Sequence, residues 1–267
     1  MNLKDKTAII TGASRGIGVY IAKALSDQGV KIIGIARSEP GLLETKDLIE
    51  SRGGIFYPIP YDLTNVDDLE GLVSELWNRF GSIEILVNNA GIEYYQYFDR
   101  LTREKSEEII KTNVQTPIEL TRLVLPRMIK EKIGHIITIA SLAGKKGIAY
   151  NSIYSATKAA VIMWSDALRQ EYKGAPIDVS VICPGFISDA GMFHDGYVKA
   201  PPLLGTSKPD KVAKAVVRAL NKGSCEIIVN KGPIRPLLAI GQLSWKIADL
   251  ITRWFGVNEL NRKRISD

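Results

Sequence analysis

"TAIITGASRGIG", residues 7–18, starts as a run of apolar and β-branched side chains and then breaks on Gly12, Gly16 and Gly18. The run predicts a strand, and the glycines predict a tight turn opening a helix. Glycines at such a turn let the backbone approach a pyrophosphate, whose charge meets the unpaired N–H groups of the helix N-terminus. The spacing is G-x-x-x-G-x-G, not the G-x-G-x-x-G of the usual dinucleotide turn. Taken alone, the turn therefore leaves a purely structural role open, and its surroundings must decide.

Outward from the turn, short apolar runs recur at 7–11, 31–36, 54–59, 83–88, 135–140, 178–183 and 226–230. Their continuous apolar character is what strands covered on both faces require. Helical patterns lie between them, such as Leu69, Leu72, Val73, Leu76 and Trp77 at three- and four-residue steps. Alternating strands and helices predict an α/β fold, a doubly wound, mostly parallel seven-stranded sheet with helices on both faces. No linker or internal repeat divides the chain, so residues 1–235 read as one domain and 236–267 as an amphipathic extension of it. Residues 186–207 form a long connection with bulky apolar side chains, read as a substrate lid.

Composition narrows the class. In 267 residues, 45% are hydrophobic and 24% charged, which excludes a disordered or fibrous chain. The net charge of +6 suits anionic ligands, but no basic run is spaced for a nucleic-acid groove. Cys183 and Cys225 lie in apolar runs and read as reduced core thiols. The first apolar run is too short for a signal peptide and no stretch is apolar enough to span a bilayer, so a cytoplasmic protein is expected. His135 and His194 lack ligand-spaced partners; no metal site is expected, and His135 reads as structural.

The second strand ends in "IARS", where a ribose-binding acid is expected about 20 residues past the glycines. Ala36 and Arg37 stand there instead, and Glu39 lies beyond the strand end. With Arg15 in the glycine turn, this arrangement favours a 2′-phosphate, and so NADP over NAD.

The chain resembles the short-chain dehydrogenase/reductase family, in its single-domain Rossmann-fold subgroup. The motifs that carry the resemblance are "TGASRGIG", "YDLTN" with Asp62, "NNAG" at 88–91, Asn113, Ser141, Tyr154 with Lys158, and "PG" at 184–185. The resemblance implies NADP(H) contacts at Gly12, Ser14, Arg15, Gly16, Ile17, Gly18, Arg37, Asp62, Leu63, Asn89, Ala90, Gly91, Pro184, Gly185 and Ile187, and at Tyr154 and Lys158. It implies that Asn113, Ser141, Tyr154 and Lys158 are catalytic, with Lys158 on the nicotinamide ribose and Asn113 holding a relay water. The threonine common after the "PG" is replaced by Asp189, preceded by Ser188, either of which is a candidate for its contact.

Physical roles fit these positions. Residues four apart on a helix stack with Cβ atoms about 5–6 Å apart, so Lys158 is expected to lower the Tyr154 phenol pKa and make it a usable acid or base. Ser141 is placed to hydrogen-bond a substrate oxygen as charge develops there. Tyr94, Tyr150, Met192 and Phe193, with Ile148 and Tyr197, are expected to make a greasy substrate pocket.

The expected activity is reduction of a carbonyl, or the reverse oxidation of a secondary alcohol. A 3-oxoacyl reductase is one alternative, with Lys145, Lys146 and Lys199 meeting an acidic carrier protein. A non-catalytic NADPH-binding regulator is the alternative from another class. Helices over 102–132 and 151–172 are expected to build a homodimer or homotetramer. The tail carries apolar residues from Leu237 to Phe255 at three- and four-residue steps, with Trp245, Trp254 and the cluster Arg262, Lys263, Arg264. It is expected to cover its own domain or a partner, or to rest on a membrane surface, and in either case to suit a lipophilic substrate.

Overall fold

The computed structural model describes residues 2–196, 200–201, 204–232 and 234–265. Tyr197 and Lys199 lie outside the described residues. The strands are β1 (Thr7–Thr11), β2 (Lys31–Ala36), β3 (Phe56–Pro60), β4 (Ile85–Asn88), β5 (Gly134–Ile139), β6 (Ile177–Pro184) and β7 (Glu226–Val229). They form one sheet in the order β3-β2-β1-β4-β5-β6-β7. Every neighbouring pair is parallel. Between the strands run α1 (Ile17–Ser26), α2 (Glu39–Glu50), α3 (Leu69–Phe80), α4 (Arg103–Ile110), α5 (Thr116–Glu131), α6 (Ser152–Glu171), α7 (Met192–Asp195) and α8 (Pro209–Lys222). After β7 come α9 (Ile234–Leu243), α10 (Trp245–Trp254) and α11 (Val257–Arg262).

The apolar strand runs are explained by burial on both faces. On β1, Ala8 and Ile10 pack with α1, α2 and α8, whereas Ile9 joins the opposite cluster with α3 and α5. Each fully buried Ile contributes about 1.5–3 kcal/mol, which is why these runs are mostly apolar, and the polar residues inside them, Thr138 and Ser180, are buried and hydrogen-bonded.

The long helix expected over 102–132 runs without a gap from Arg103 to Glu131 but contains a π-helical turn. The Thr102 hydroxyl caps α4 by accepting from Lys105 N, and residues Lys111–Gln115 form a π-helical turn before α5. That turn rotates Asn113 inward, where its side chain is buried. Cys183 is a core thiol as expected, but Cys225 is exposed, because it immediately precedes the edge strand β7. His135 is fully buried on β5 with Nε2 2.8 Å from Ser180 Oγ, a packing role.

The strand order reverses between β1 and β4. In a parallel sheet the helices on either side of such a point diverge and leave a crevice beyond the carboxyl ends of the strands. The described part of the connection 186–207 borders that crevice, and its two ends are joined by a bridge between Ile187 and Ser207. The tail returns to the same side: Gln242 Nε2 donates to Lys145 O at 3.1 Å, and Lys146 Nζ pairs with Asp249 Oδ1 at 2.7 Å.

Candidate active site

At the β1 carboxyl end, Gly12 (φ 68°) and Gly16 (φ 61°) adopt the left-handed conformation that glycine tolerates best. A Cβ on Gly18 would lie 2.0 Å from the Gly12 carbonyl oxygen, so the turn is packed shut from below and opens only toward the crevice. No side chain caps α1 and no acid sits in its first turn, which leaves its N–H groups suited to an anion. Thr11 Oγ1 accepts from Asn89 N at 2.9 Å and Ala90 N at 3.0 Å, tying the β1 and β4 ends together across the reversal. At the β2 and β3 ends stand Arg37 and Asp62. Arg37 Nη1 lies 3.6 Å from Glu108 Oε1 and its side chain is 61% exposed, while Asp62 Oδ1 accepts from Thr64 N at 3.0 Å.

Ser141 follows β5, and its hydroxyl accepts from Ala143 N at 3.1 Å. The first turns of α6 bring Tyr154 and Lys158 beneath it, both buried. The Ser141 hydroxyl also lies near enough to the Tyr154 phenol to favour its ionised form. Lys158 Nζ donates to Ile139 O at 2.9 Å and sits 5.7 Å from the Tyr154 ring centre. These groups and the glycine turn line one continuous cavity of about 650 Å³, which runs on to Met192 and Phe193 of the lid and Leu237, Ile251 and Phe255 of the tail.

Residues 6–197 match the family model described as short chain dehydrogenase. The chain is a short-chain dehydrogenase. It is 46% identical over 267 residues to the ketoacyl reductase HetN of Nostoc sp. strain PCC 7120, covering 98% of this chain and 93% of the relative. It is 36% identical over 187 residues to the 3-oxoacyl-[acyl-carrier-protein] reductase FabG of Vibrio cholerae, covering 70% of this chain and 75% of the relative. Among solved structures, a variant of the actinorhodin polyketide ketoreductase crystallised with NADPH superimposes with a TM-score of 0.78 at 28% identity, over 84% of this chain and 95% of that one.

In this short-chain dehydrogenase the cavity wall brings together most of the residues expected from the sequence. Gly12, Ser14, Arg15, Gly16, Ile17, Arg37, Asp62, Leu63, Asn89, Ala90, Gly91, Ser141, Tyr154, Lys158, Pro184, Gly185, Ile187, Met192 and Phe193 all line it. Gly18 lies behind the turn and acts by letting it close. Asn113 also lies behind the wall: its Oδ1 accepts from Ile92 N at 2.9 Å and its Nδ2 donates to Ile92 O at 2.9 Å. Asp189 faces the cavity, whereas Ser188 hydrogen-bonds Ser207 O at 3.5 Å and does not.

Two expected pocket residues are not in the cavity. The Tyr94 hydroxyl donates to Glu108 Oε2 at 2.7 Å, and Tyr150 packs edge-on against Tyr97 with ring centres 5.1 Å apart. Residues 89–97 run without regular structure, and Glu93 and Tyr95, on either side of Tyr94, turn inward in its place. Glu93, Tyr95 and Arg264 are site residues that the sequence reading missed. An extended reading of 91–95 would have put 93 and 95 on one side; nothing local marks Arg264.

The electrostatics also correct an expectation. Burial pushes the Tyr154 phenol well above its ordinary value, with the Glu93 charge adding to the rise and the Ser141 hydroxyl opposing it. Burial likewise lowers Lys158 from 10.5 to about 8. Lys158 thus does not make the phenol acidic in the chain by itself. Its ammonium is turned to the Ile139 carbonyl, and burial is the largest influence on both groups.

Proposed function

We infer that this short-chain dehydrogenase is an NADP(H)-dependent oxidoreductase of carbonyl and secondary-alcohol groups, and we propose that Tyr154 is its general acid and base. One observation carries the reading: Tyr154, Ser141 and Lys158 meet on the wall of the cavity that begins at the glycine turn. The residues fit the nucleotide. The turn is open to a pyrophosphate, no carboxylate replaces Ala36 or Arg37 at the β2 end, and Arg15 and Arg37 supply cations for a 2′-phosphate. When bound, the nicotinamide supplies or accepts the hydride.

The chain's own residues manage the proton and the charge. The Tyr154 hydroxyl gives its proton to the substrate oxygen as negative charge builds there, and takes it back in the alcohol direction. Ser141 donates to the same oxygen and holds it against the phenol. Lys158 supplies a buried positive charge one helical turn away and contacts the nucleotide ribose. Asn113 positions Ile92 and Thr157 beneath them, its Nδ2 donating to Thr157 Oγ1 at 3.1 Å. Asp189 accepts from the nicotinamide carboxamide. A nucleotide-sensing regulator would need none of this buried proton machinery.

Within carbonyl substrates we favour a 3-oxoacyl thioester, on the strength of the reductase relatives and of the apolar far end of the cavity. Of the lysines expected to meet a carrier protein, Lys145 pairs with Glu226 and Lys146 with Asp249. The test is a panel of aliphatic ketones and 3-oxoacyl N-acetylcysteamine thioesters of increasing chain length, followed by NADPH absorbance. Turnover is expected to rise with chain length until the tail wall is met. Consumption of NADPH with no member of the panel would sink the assignment of a carbonyl substrate.

We also propose a homodimer or homotetramer built on α4, α5 and α6, supported by the exposed Ile110, Ile118 and Met163 on these helices. No helix among the described residues is long and apolar enough to cross a membrane. Peripheral contact is supported by the outward face of the tail, where Leu243, Trp245, Leu250 and Trp254 are 84%, 82%, 68% and 75% exposed. Residues 236–267 carry five basic side chains, one of them the enclosed Arg264, against three acidic ones, a small basic excess that suits an anionic bilayer. Anionic liposomes are expected to sediment the protein, and the pair Trp245→Ser and Trp254→Ser to release it. Equal sedimentation of wild type and variant would refute the tail as the contact.

A further inference from the structure

Arg264, 35 residues beyond the end of the last strand at Val229, returns to the site and is almost fully enclosed, its side chain 7% exposed. Nη1 donates to the Tyr95 hydroxyl at 2.6 Å, and Nη2 donates to Glu93 Oε1 at 2.8 Å and to Met192 O at 2.7 Å. The guanidinium lies 4.0 Å over the Tyr95 ring centre and 5.6 Å from that of Phe193. The second Glu93 oxygen accepts from Asn151 Nδ2 at 2.9 Å, and Asn151 is the N-cap of α6, three residues before Tyr154. One side chain therefore joins the loop after β4, the lid and the tail, and through Glu93 reaches the helix that carries the phenol. The basic cluster read from the sequence is correspondingly reduced, because Arg264 is not free to meet a membrane.

A guanidinium used only as packing would need no carboxylate beside the reacting group. Here Glu93, Tyr95 and Arg264 all line the cavity wall with Tyr154. We propose that Arg264 is a positioning residue for the reaction at Tyr154: it seats tail and lid over the substrate end of the cavity and balances the Glu93 charge beside the phenol. The proposal rests on the reading of Tyr154 as the acid and base. The groups that face Tyr154 are Glu93 and Tyr95 from the loop after β4, Ser141 from the β5 end, Lys158 from its own helix and Arg264 from the tail. Glu93 and Arg264 act on the phenol in opposite directions. Loss of Arg264 alone leaves a buried carboxylate unbalanced, which disfavours the phenolate; neutralising Glu93 alone does the reverse.

The test compares the full chain with Arg264→Leu, Arg264→Lys, Glu93→Gln and the double variant Glu93→Gln/Arg264→Leu. Two readouts are taken: the pH profile of 3-hydroxyacyl N-acetylcysteamine thioester oxidation with NADP, and hydrogen exchange of residues 190–196 and 257–264. Arg264→Leu is expected to move the ascending limb, on which the phenol becomes the base, upward by about one pH unit or more and to speed exchange in both segments together. Arg264→Lys should restore the pH profile, since it keeps the charge, but not the exchange protection, since an ammonium cannot span all three acceptors. The double variant should return the pH profile toward wild type while exchange stays fast. If Arg264→Leu fails to fold, Glu93→Gln, which keeps the arginine and the volume, must still move the limb downward. An unchanged pH profile in both Arg264→Leu and Glu93→Gln would overturn the charge-balancing role, and unchanged exchange in Arg264→Leu would overturn the latch. Absence of any thioester turnover by wild type would count against the substrate reading instead, and the exchange arm would still decide the latch.

Discussion

Tyr154→Phe is expected to lower kcat by about 10²–10⁴-fold, the range that a positioned general acid or base contributes. Tyr154 is 6% exposed and its ring is packed at the start of α6, so phenylalanine keeps the volume and removes only the hydroxyl that Ser141 meets. NADPH affinity should change by less than about threefold, because the glycine turn, Arg15 and Arg37, proposed to hold the phosphates, are untouched. Single-turnover kinetics and a fluorescence titration of NADPH separate the two effects. A variant that retains most of its rate would mean that another group handles the proton. Tyr95 is the nearest phenol in the cavity, but burial pushes it well above its ordinary value and its hydroxyl is engaged by Arg264.

Arg37→Asp should weaken NADPH by about ten- to a hundredfold, the equivalent of one lost charge-assisted contact of roughly 1.5–3 kcal/mol. Repulsion from the introduced carboxylate adds to that loss. The side chain is 61% exposed at the mouth of the cavity, and its present partner Glu108 is also held by Tyr94, so the substitution does not disturb the core. NADH lacks the 2′-phosphate and should bind about as before. Comparison of the two dissociation constants is the measurement, and equal weakening of both would remove the basis for NADP preference.

The sheet was legible because β1, β2, β4, β5 and β6 are covered on both faces, and double coverage writes itself as largely apolar, β-branched runs without period-two alternation. The glycine turn, Ser141, Tyr154 and Lys158 were legible because each is fixed by a short local element. What escaped was set by longer range. Whether Tyr94 or its neighbours faces the cavity depends on how residues 89–97 cross from β4 to α4, and no periodicity marks an irregular segment. Arg264 meets Glu93 across 171 positions of sequence, so no local pattern could pair them. The expected acidification of Tyr154 by Lys158 failed for a related reason. Spacing placed the two groups one turn apart, but spacing does not report that both are buried, nor that the ammonium turns to Ile139.

The central claim is that this cavity carries out the transfer between nicotinamide and carbonyl instead of only binding the nucleotide. NADPH deuterated at C4 of the nicotinamide, on each face in turn, is incubated with a 3-oxoacyl N-acetylcysteamine thioester, and the product is analysed by mass spectrometry and NMR. From one of the two labelled forms, deuterium is expected at the carbinol carbon in equimolar amount with the NADP formed, and Tyr154→Phe should suppress its appearance in proportion to the loss of turnover. Saturable NADPH binding with no label in any product alcohol, from this thioester or from the ketone panel, would contradict the account.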